Sequence, residues 1–205
     1  MTGGRPIPRV TEYLAALPTG LDSFPSYRAK GSMFRSALEV RSIPRDLTLL
    51  PPRIARLFRD PPLSSQWVPE TEYVAFSLAM ADLHGMSDAD FCQYWYDVML
   101  NITDGLYAAA LSLVSPVLIL RTLASRWGTF HQGVEASALP TPGGLLIRLT
   151  FPTRLFSPLI IDGYVAVFQA LISRSRRPAA TAKLDGVNVV ASTTEATIRL
   201  VDFTD

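Results

Sequence analysis

The chain carries two histidines, His84 and His131, and one cysteine, Cys92. With the carboxylates near them, these are the groups from which a metal centre, a cofactor ligand or a nucleophile would have to be built. His131 sits in RWGTFHQGVEASAL, residues 126–139, where a helical pattern gives way to an alternating one. The imidazole follows Trp127 and Phe130, and one of its nitrogens could ligate a haem iron or another metal. A metal site needs two or three further donors, and Glu135 is the candidate nearby. The sequence favours a structural reading, in which His131 and Gln132 satisfy the open carbonyls of a helix end. Purified protein is then expected to show no Soret band.

His84, in ADLHGMSDAD, has Asp82, Asp88 and Asp90 near it, but the spacing matches no recognised ligand set. Ser87 and Asp90 read as a capping box, and Asp82 and His84 as an exposed helix end. Cys92 would need a lowered pKa and a base to act as a nucleophile; beside Phe91 it reads as a small buried hydrophobe. No Walker loop and no dinucleotide glycine fingerprint is present. SYRAKGSMFR sets Arg28, Lys30 and Arg35 around a helix start at Gly31-Ser32, where cations and free amides could hold an anion. Arg35, Arg41, Arg45, Arg53, Arg56 and Arg59 make residues 35–59 basic, opposed by Glu39 and Asp46. Nucleic-acid surfaces add stacking aromatics or a recognition helix. Phe34 and Phe58 read as core, so a solvated face or an acidic-protein contact is expected instead. No catalytic residue and no metal ligand set is assigned.

The remaining chemical feature is aromatic. Tyr73, Phe76, Tyr94, Trp95, Trp127, Tyr164 and Phe168 are candidates to line an apolar ligand cavity, since pockets are mostly apolar with few polar groups. The alternative for each is plain core.

The elements that would position these residues follow from period and punctuation. Prolines 18, 25, 44, 51, 52, 61 and 62 divide the first 65 residues into short helical fragments that wrap a core. GSMFRSALEV, with Ser32 as cap, and PPRIARLFRD are two of them. Pro69, Glu70 and Glu72 suit a helix start, and Tyr73, Phe76, Met80 and Leu83 repeat at helical spacing up to Gly85, a left-handed cap. Phe91, Tyr94, Trp95 and Val98 mark the next helix. Two more are split at Ser115-Pro116, the second presenting Val117, Leu120, Ala124 and Trp127 on one side. From Gly133 the pattern alternates: VEASAL and LLIRLTF form a hairpin around PTPGG. SPLIIDGYVAVFQALISRS is a buried helix. Asp185-Gly186 signals a second hairpin, and EATIRLVDF a last strand. The unit β-β-α-β-β(-β) after several helices predicts an α+β fold with an antiparallel sheet. A single domain over 1–205 is expected, with a wrapping segment 1–65, helices 66–130, and sheet plus buried helix 131–205.

Bulk composition narrows the function classes. At 205 residues, the chain can bury roughly 70% of its unfolded surface without disulfide or metal support. A net charge of +1 excludes a generally basic nucleic-acid binder. Only 18% of residues are charged, below the usual quarter, so some apolar surface is expected to meet a ligand or partner. One cysteine allows no intrachain disulfide and suggests a reducing compartment. The amino terminus lacks a secretory core. Arginine outnumbers lysine 17 to 2, which reads as high-GC bacterial coding. Residues 105–120 and PLIIDGYVAVFQALI are too short to span a bilayer. A cytoplasmic bacterial protein without a membrane span is expected.

SPVLILRTLASRWGTFHQG, LTFPTRLFSPLIIDGYVAVFQALI and EATIRLVDF together resemble a group of roughly 200-residue paralogous proteins of myxobacteria. More distantly, the pattern is similar to the ligand-binding superfamily of haem-based nitric-oxide sensors, vinyl-reductase-type domains and TRAPP-type tethering subunits. The resemblance covers about residues 105–203 and rests on a Ser-Pro helix start, a Trp near the helix end, a Gly at strand entry and a second Pro-Gly helix. It implies an apolar cavity between helices and sheet. Vinyl-reductase-type domains carry cysteines in this half, and this chain has none after Cys92. Neither histidine aligns with the proximal haem ligand of the nitric-oxide sensors. The expectation is therefore a non-enzymatic regulatory module that binds a small apolar ligand or a partner protein, without a cofactor, haem at His131 being the alternative. An interaction scaffold that forms a homo- or hetero-oligomer through an apolar face, a homo-oligomer being expected, is the second reading, and an enzyme of unknown type the third.

Overall fold

The structure, a computed structural model, describes residues 6–43, 46–142 and 144–201. Pro44 and Arg45, Gly143 of the predicted turn, Asp202 and Phe203 of the last strand pattern, and residues 1–5 lie outside these.

Prolines start the first helices, as expected where an amide has no partner to lose. Helix α1 (Pro8–Ala16) begins on Pro8. It is followed by strand β1 (Arg28–Lys30), helix α2 (Gly31–Val40), helix α3 (Pro52–Arg59) and strand β2 (Trp67–Pro69). Helix α2 is not capped by Ser32: it begins one residue earlier, and no side chain caps it. Its first amide is taken by a backbone carbonyl, Gly31 N–H donating to Gln66 at 2.8 Å. That close approach needs glycine, because a Cβ at residue 31 would lie 2.0 Å from the Leu63 carbonyl oxygen.

Helix α4 (Glu70–His84) ends at Gly85 in the left-handed conformation, φ 59°. Helix α5 (Asp88–Ile102) opens with the complete capping box of Ser87 and Asp90, and buries Phe91, Tyr94, Trp95 and Val98. Asp82 departs from expectation. It is buried, accepting the Val10 amide at 3.1 Å and the Arg9 guanidinium at 3.4 Å. Burial pushes its carboxyl up and those two donors pull it back. The carboxylate thus ties α1 to α4, a contact across 72 positions that no local pattern reveals.

Helices α6 (Leu106–Leu111) and α7 (Pro116–Arg126) meet at Ser115, whose side chain caps α7. A 3-10 turn, Trp127–Thr129, leads into strand β3 (His131–Gln132). Strands β4 (Glu135–Thr141) and β5 (Gly144–Pro152) form the first hairpin, helix α8 (Pro158–Ser173) crosses over, and β6 (Thr181–Val190) and β7 (Thr193–Val201) form the second. The four make one antiparallel sheet in the order β4-β5-β7-β6. Along β5, Leu145, Ile147, Leu149 and Phe151 alternate inward, as do Ala196, Ile198 and Leu200 along β7. Helix α5 packs on α8, and Gly163 makes room: a Cβ there would stand 3.1 Å from the Phe91 ring. The α+β class and the β-β-α-β-β order are as read from the sequence.

Two features differ. Asp185-Gly186 is not the hairpin turn but a bulge inside β6, with the register shifting between Leu184 and Gly186. The turn falls at Ala191-Ser192, where Ala191 takes φ 56°. Gly after Asp suits either a turn or a bulge, and here Asp185 is held by the Arg199 guanidinium at 2.7 and 2.9 Å. The second difference is an additional small sheet, β2-β1-β3. Its strands are two or three residues long, too short to show a period.

Gly31→Ala should lower stability by about 1–3 kcal/mol through overpacking against the 63–66 backbone. A urea midpoint equal to that of the parent chain would contradict the close approach.

Candidate functional site

The small sheet builds the site. In its middle strand, Ala29 pairs with Val68 on one side and with His131 on the other. That register brings β3 and the first residue of α4 together. His131 Nδ1 lies 3.0 Å from Glu70 Oε1, and both side chains are buried. The second oxygen, Glu70 Oε2, is buried and has no hydrogen-bond partner among the described residues. The pair is therefore held by one direct contact between two buried side chains.

Aromatic rings enclose the imidazole. Trp127 stacks on it at 4.7 Å and 17°, while Tyr73, Tyr164 and Phe156 meet it edge-on. Beside this cluster opens a cavity of about 400 Å³ whose lining is almost wholly apolar. Met33 of α2, Tyr73 of α4, Trp95 and Met99 of α5, Trp127, His131, and Tyr164 and Val167 of α8 form its walls. Ser32, Ser36 and Thr103 bring hydroxyls, and Ile102 and Phe130 are half open to solvent. A volume of this size and character is that of a small-molecule site. Burial, reinforced by Glu70, pushes the Tyr73 and Tyr164 phenols far above their ordinary range, so both remain protonated donors. The Tyr164 hydroxyl and Trp127 Nε1 are buried without protein partners.

Of the residues singled out in the sequence, Tyr73, Trp95, Trp127, Tyr164 and His131 converge on the cavity. Phe76, Tyr94 and Phe168 do not. Phe76 lies in the core against Phe34 and Phe58, the Tyr94 hydroxyl donates to the Ala37 carbonyl at 2.8 Å, and Phe168 is fully buried. Arg28, Lys30 and Arg35 do not converge either. Arg28 is exposed, Lys30 sits over the Trp67 ring at 4.4 Å, and Arg35 donates to the Pro62 and Pro61 carbonyls. The helix start they flank is already occupied by Gln66. Among the described residues, no group of three metal-ligating side chains forms. Burial pushes the Cys92 thiol up, and Asp162 and Asp88 push it further, the opposite of what a nucleophile needs. The structural reading of His131 as a cap for helix-end carbonyls is replaced by its bond to Glu70. Glu70 itself was read only as a favourable charge at a helix start; nothing in the sequence shows that β1 will carry it to a histidine 61 positions away.

No family model matches the chain, and no curated protein matches it in sequence. Solved structures do match in shape. One, an oxygen-binding H-NOX domain related to soluble guanylate cyclases, superposes with TM-score 0.54 at 6% identity, covering 83% of this chain and 91% of that one. The fold is the H-NOX fold. A second structure, of a protein whose haem redox potential is modulated by porphyrin distortion, gives TM-score 0.55 at 7% identity, covering 83% and 96%. A third, an H-NOX mutant from K. algicida in its unliganded Fe(II) form, gives 0.50 at 10%, covering 84% and 97%. The expectation of a module without a cofactor is corrected by these matches, because the structural neighbours are described as haem proteins.

The residues present fit such a group at its iron. Ligating imidazoles donate their other nitrogen to a carboxylate, and Glu70 holds Nδ1 of His131 in that way. Removing one partner of a buried hydrogen bond leaves the other unsatisfied, so Glu70→Ala should cost about 1–3 kcal/mol in urea unfolding. Glu70→Gln, which keeps an acceptor, should cost clearly less; equal losses would show that the bond to His131 carries no stability.

Proposed function

We propose that the chain is a sensor module whose cavity would hold a flat, largely apolar group, haem foremost, with His131 as the side chain that would hold its iron. The observation that carries this reading is the Glu70–His131 bond at the wall of a 400 Å³ apolar cavity. Haem bound there would supply an iron centre that takes a small gaseous ligand. The protein's own residues do the rest. Glu70 fixes the ring and leaves Nε2 for the ligand. Trp127 stacks on the imidazole and resists its rotation. The aliphatic and aromatic walls exclude water, and Ser32, Ser36 and Thr103 are the lining hydroxyls that could meet polar substituents of the bound group. The matches in fold support a ligand-binding sensor domain.

We read residues 1–205 as one domain, because one buried cluster runs from Val10 through Trp127 to Leu200. Among the described residues, no helix is long and apolar enough to cross a membrane.

Haem titration into purified protein should give a saturable Soret band at one equivalent. His131→Gly should abolish it and added imidazole should restore it, since the vacated space accepts the free ring. A wild-type protein that takes up no haem, or a His131→Gly variant with an unchanged spectrum, would overturn the assignment. An apolar fluorophore displaced from the cavity by haem checks the same volume independently of iron.

A further inference from the structure

Helix α6 stands apart from the site just described and raises its own question. It has no buried residue. Leu106 is 87% exposed, Tyr107 70% and Leu113 78%. Leu118, in the next helix, and Ile102, in the preceding one, are also exposed. Residues 105–120 carry no charge. Soluble monomers rarely leave so many large apolar side chains together in water, so this ridge is covered by something.

Its chemistry narrows what that is. No Asp or Glu occurs from Gly105 to Val134, whereas Arg121 and Arg126 do. Both are exposed, as is Arg176, whose amide donates to the Val114 carbonyl at 2.9 Å beside the ridge. Among the described residues, no carboxylate lies within ion-pair distance of these three. On α7, Leu118, Arg121, Thr122 and Ser125 share the outer face at helical spacing. The covering surface is therefore hydrocarbon bordered by negative charge. A second copy of this chain supplies hydrocarbon but no negative border, because a two-fold contact sets the same arginines against one another. The ridge also offers little hydrogen bonding to a protein. The Ser112 hydroxyl donates to Ala109 at 2.8 Å, and Ser115 Oγ accepts from the Leu118 amide.

We propose that the α6 ridge seats on an anionic phospholipid bilayer. Leu106, Leu113 and Leu118 enter the acyl boundary, Tyr107 lies at the headgroup level, and Arg121, Arg126 and Arg176 pair with lipid phosphates. Ile102 belongs both to this face and to the cavity lining, so an apolar ligand partitioned in the bilayer has a short apolar path inward. The docking itself does not depend on what the cavity holds.

The test uses the full chain without added haem. It should co-sediment with vesicles of equal parts phosphatidylglycerol and phosphatidylcholine, and at least about tenfold less with phosphatidylcholine alone, at roughly 0.15 M salt. Replacing both leucines, Leu106→Asp with Leu113→Asp, should abolish binding while circular dichroism stays unchanged, because neither side chain is packed. Arg121→Gln and Arg176→Gln should each weaken binding roughly fivefold. Failure to bind either vesicle overturns the proposal. So does equal binding to both, and so does a dimer in analytical ultracentrifugation that the double aspartate variant dissolves. Failure of haem uptake with intact vesicle binding would overturn the sensor reading alone.

Discussion

One buried contact organises this molecule: the bond between Glu70 and His131. A carboxylate and an imidazole are costly to dry unless they face one another. Each is delivered by a different part of the chain, Glu70 by the start of α4 and His131 by the strand after α7. The three-stranded sheet β2-β1-β3 exists between them, and its register sets their distance. The helical half and the four-stranded sheet are thus joined at the same point where the cavity opens. Orientation of the ring and integrity of the fold become one property.

Around that bond, the packing is aromatic and stiff. Trp127 covers one face of the imidazole, and Tyr73, Tyr164 and Phe156 bound its edges. Rings of this kind bring large apolar area with few torsions to order, and so a cavity can persist beside them without collapsing. The helix pair α5–α8 closes the same space from the far side, with Gly163 allowing the two to approach.

What the sequence revealed and what it concealed divide along a physical line. Gly85, the Ser87–Asp90 box and the Ser115-Pro116 break act within a few residues, and each was legible as a boundary. The period-two runs of β5 and β7 gave the sheet, since one face of each is buried. Asp185-Gly186 misled because a bulge and a turn ask for the same backbone freedom. Asp82 and Glu70 misled more seriously: charge at a helix end reads as exposed, and only the distant Val10 amide and His131 ring explain its burial. Tyr73, Trp95, Trp127 and Tyr164 were visible as aromatics at helical spacing. Nothing local distinguishes them from Phe76, Tyr94 and Phe168, because core and cavity wall differ only in whether the facing volume is filled.

The account rests on His131 presenting a free Nε2 while Glu70 holds Nδ1, and long-range ¹H–¹⁵N correlation of the imidazoles measures this directly. With only His84 and His131 in the chain, a His84→Gln variant assigns the signals. The account predicts that the neutral ring of His131 carries its proton on Nδ1 and leaves Nε2 unprotonated. In Glu70→Gln the tautomer should remain but its Nδ1 shift should change. A proton on Nε2, or a ring averaging between tautomers as in free solution, would contradict it.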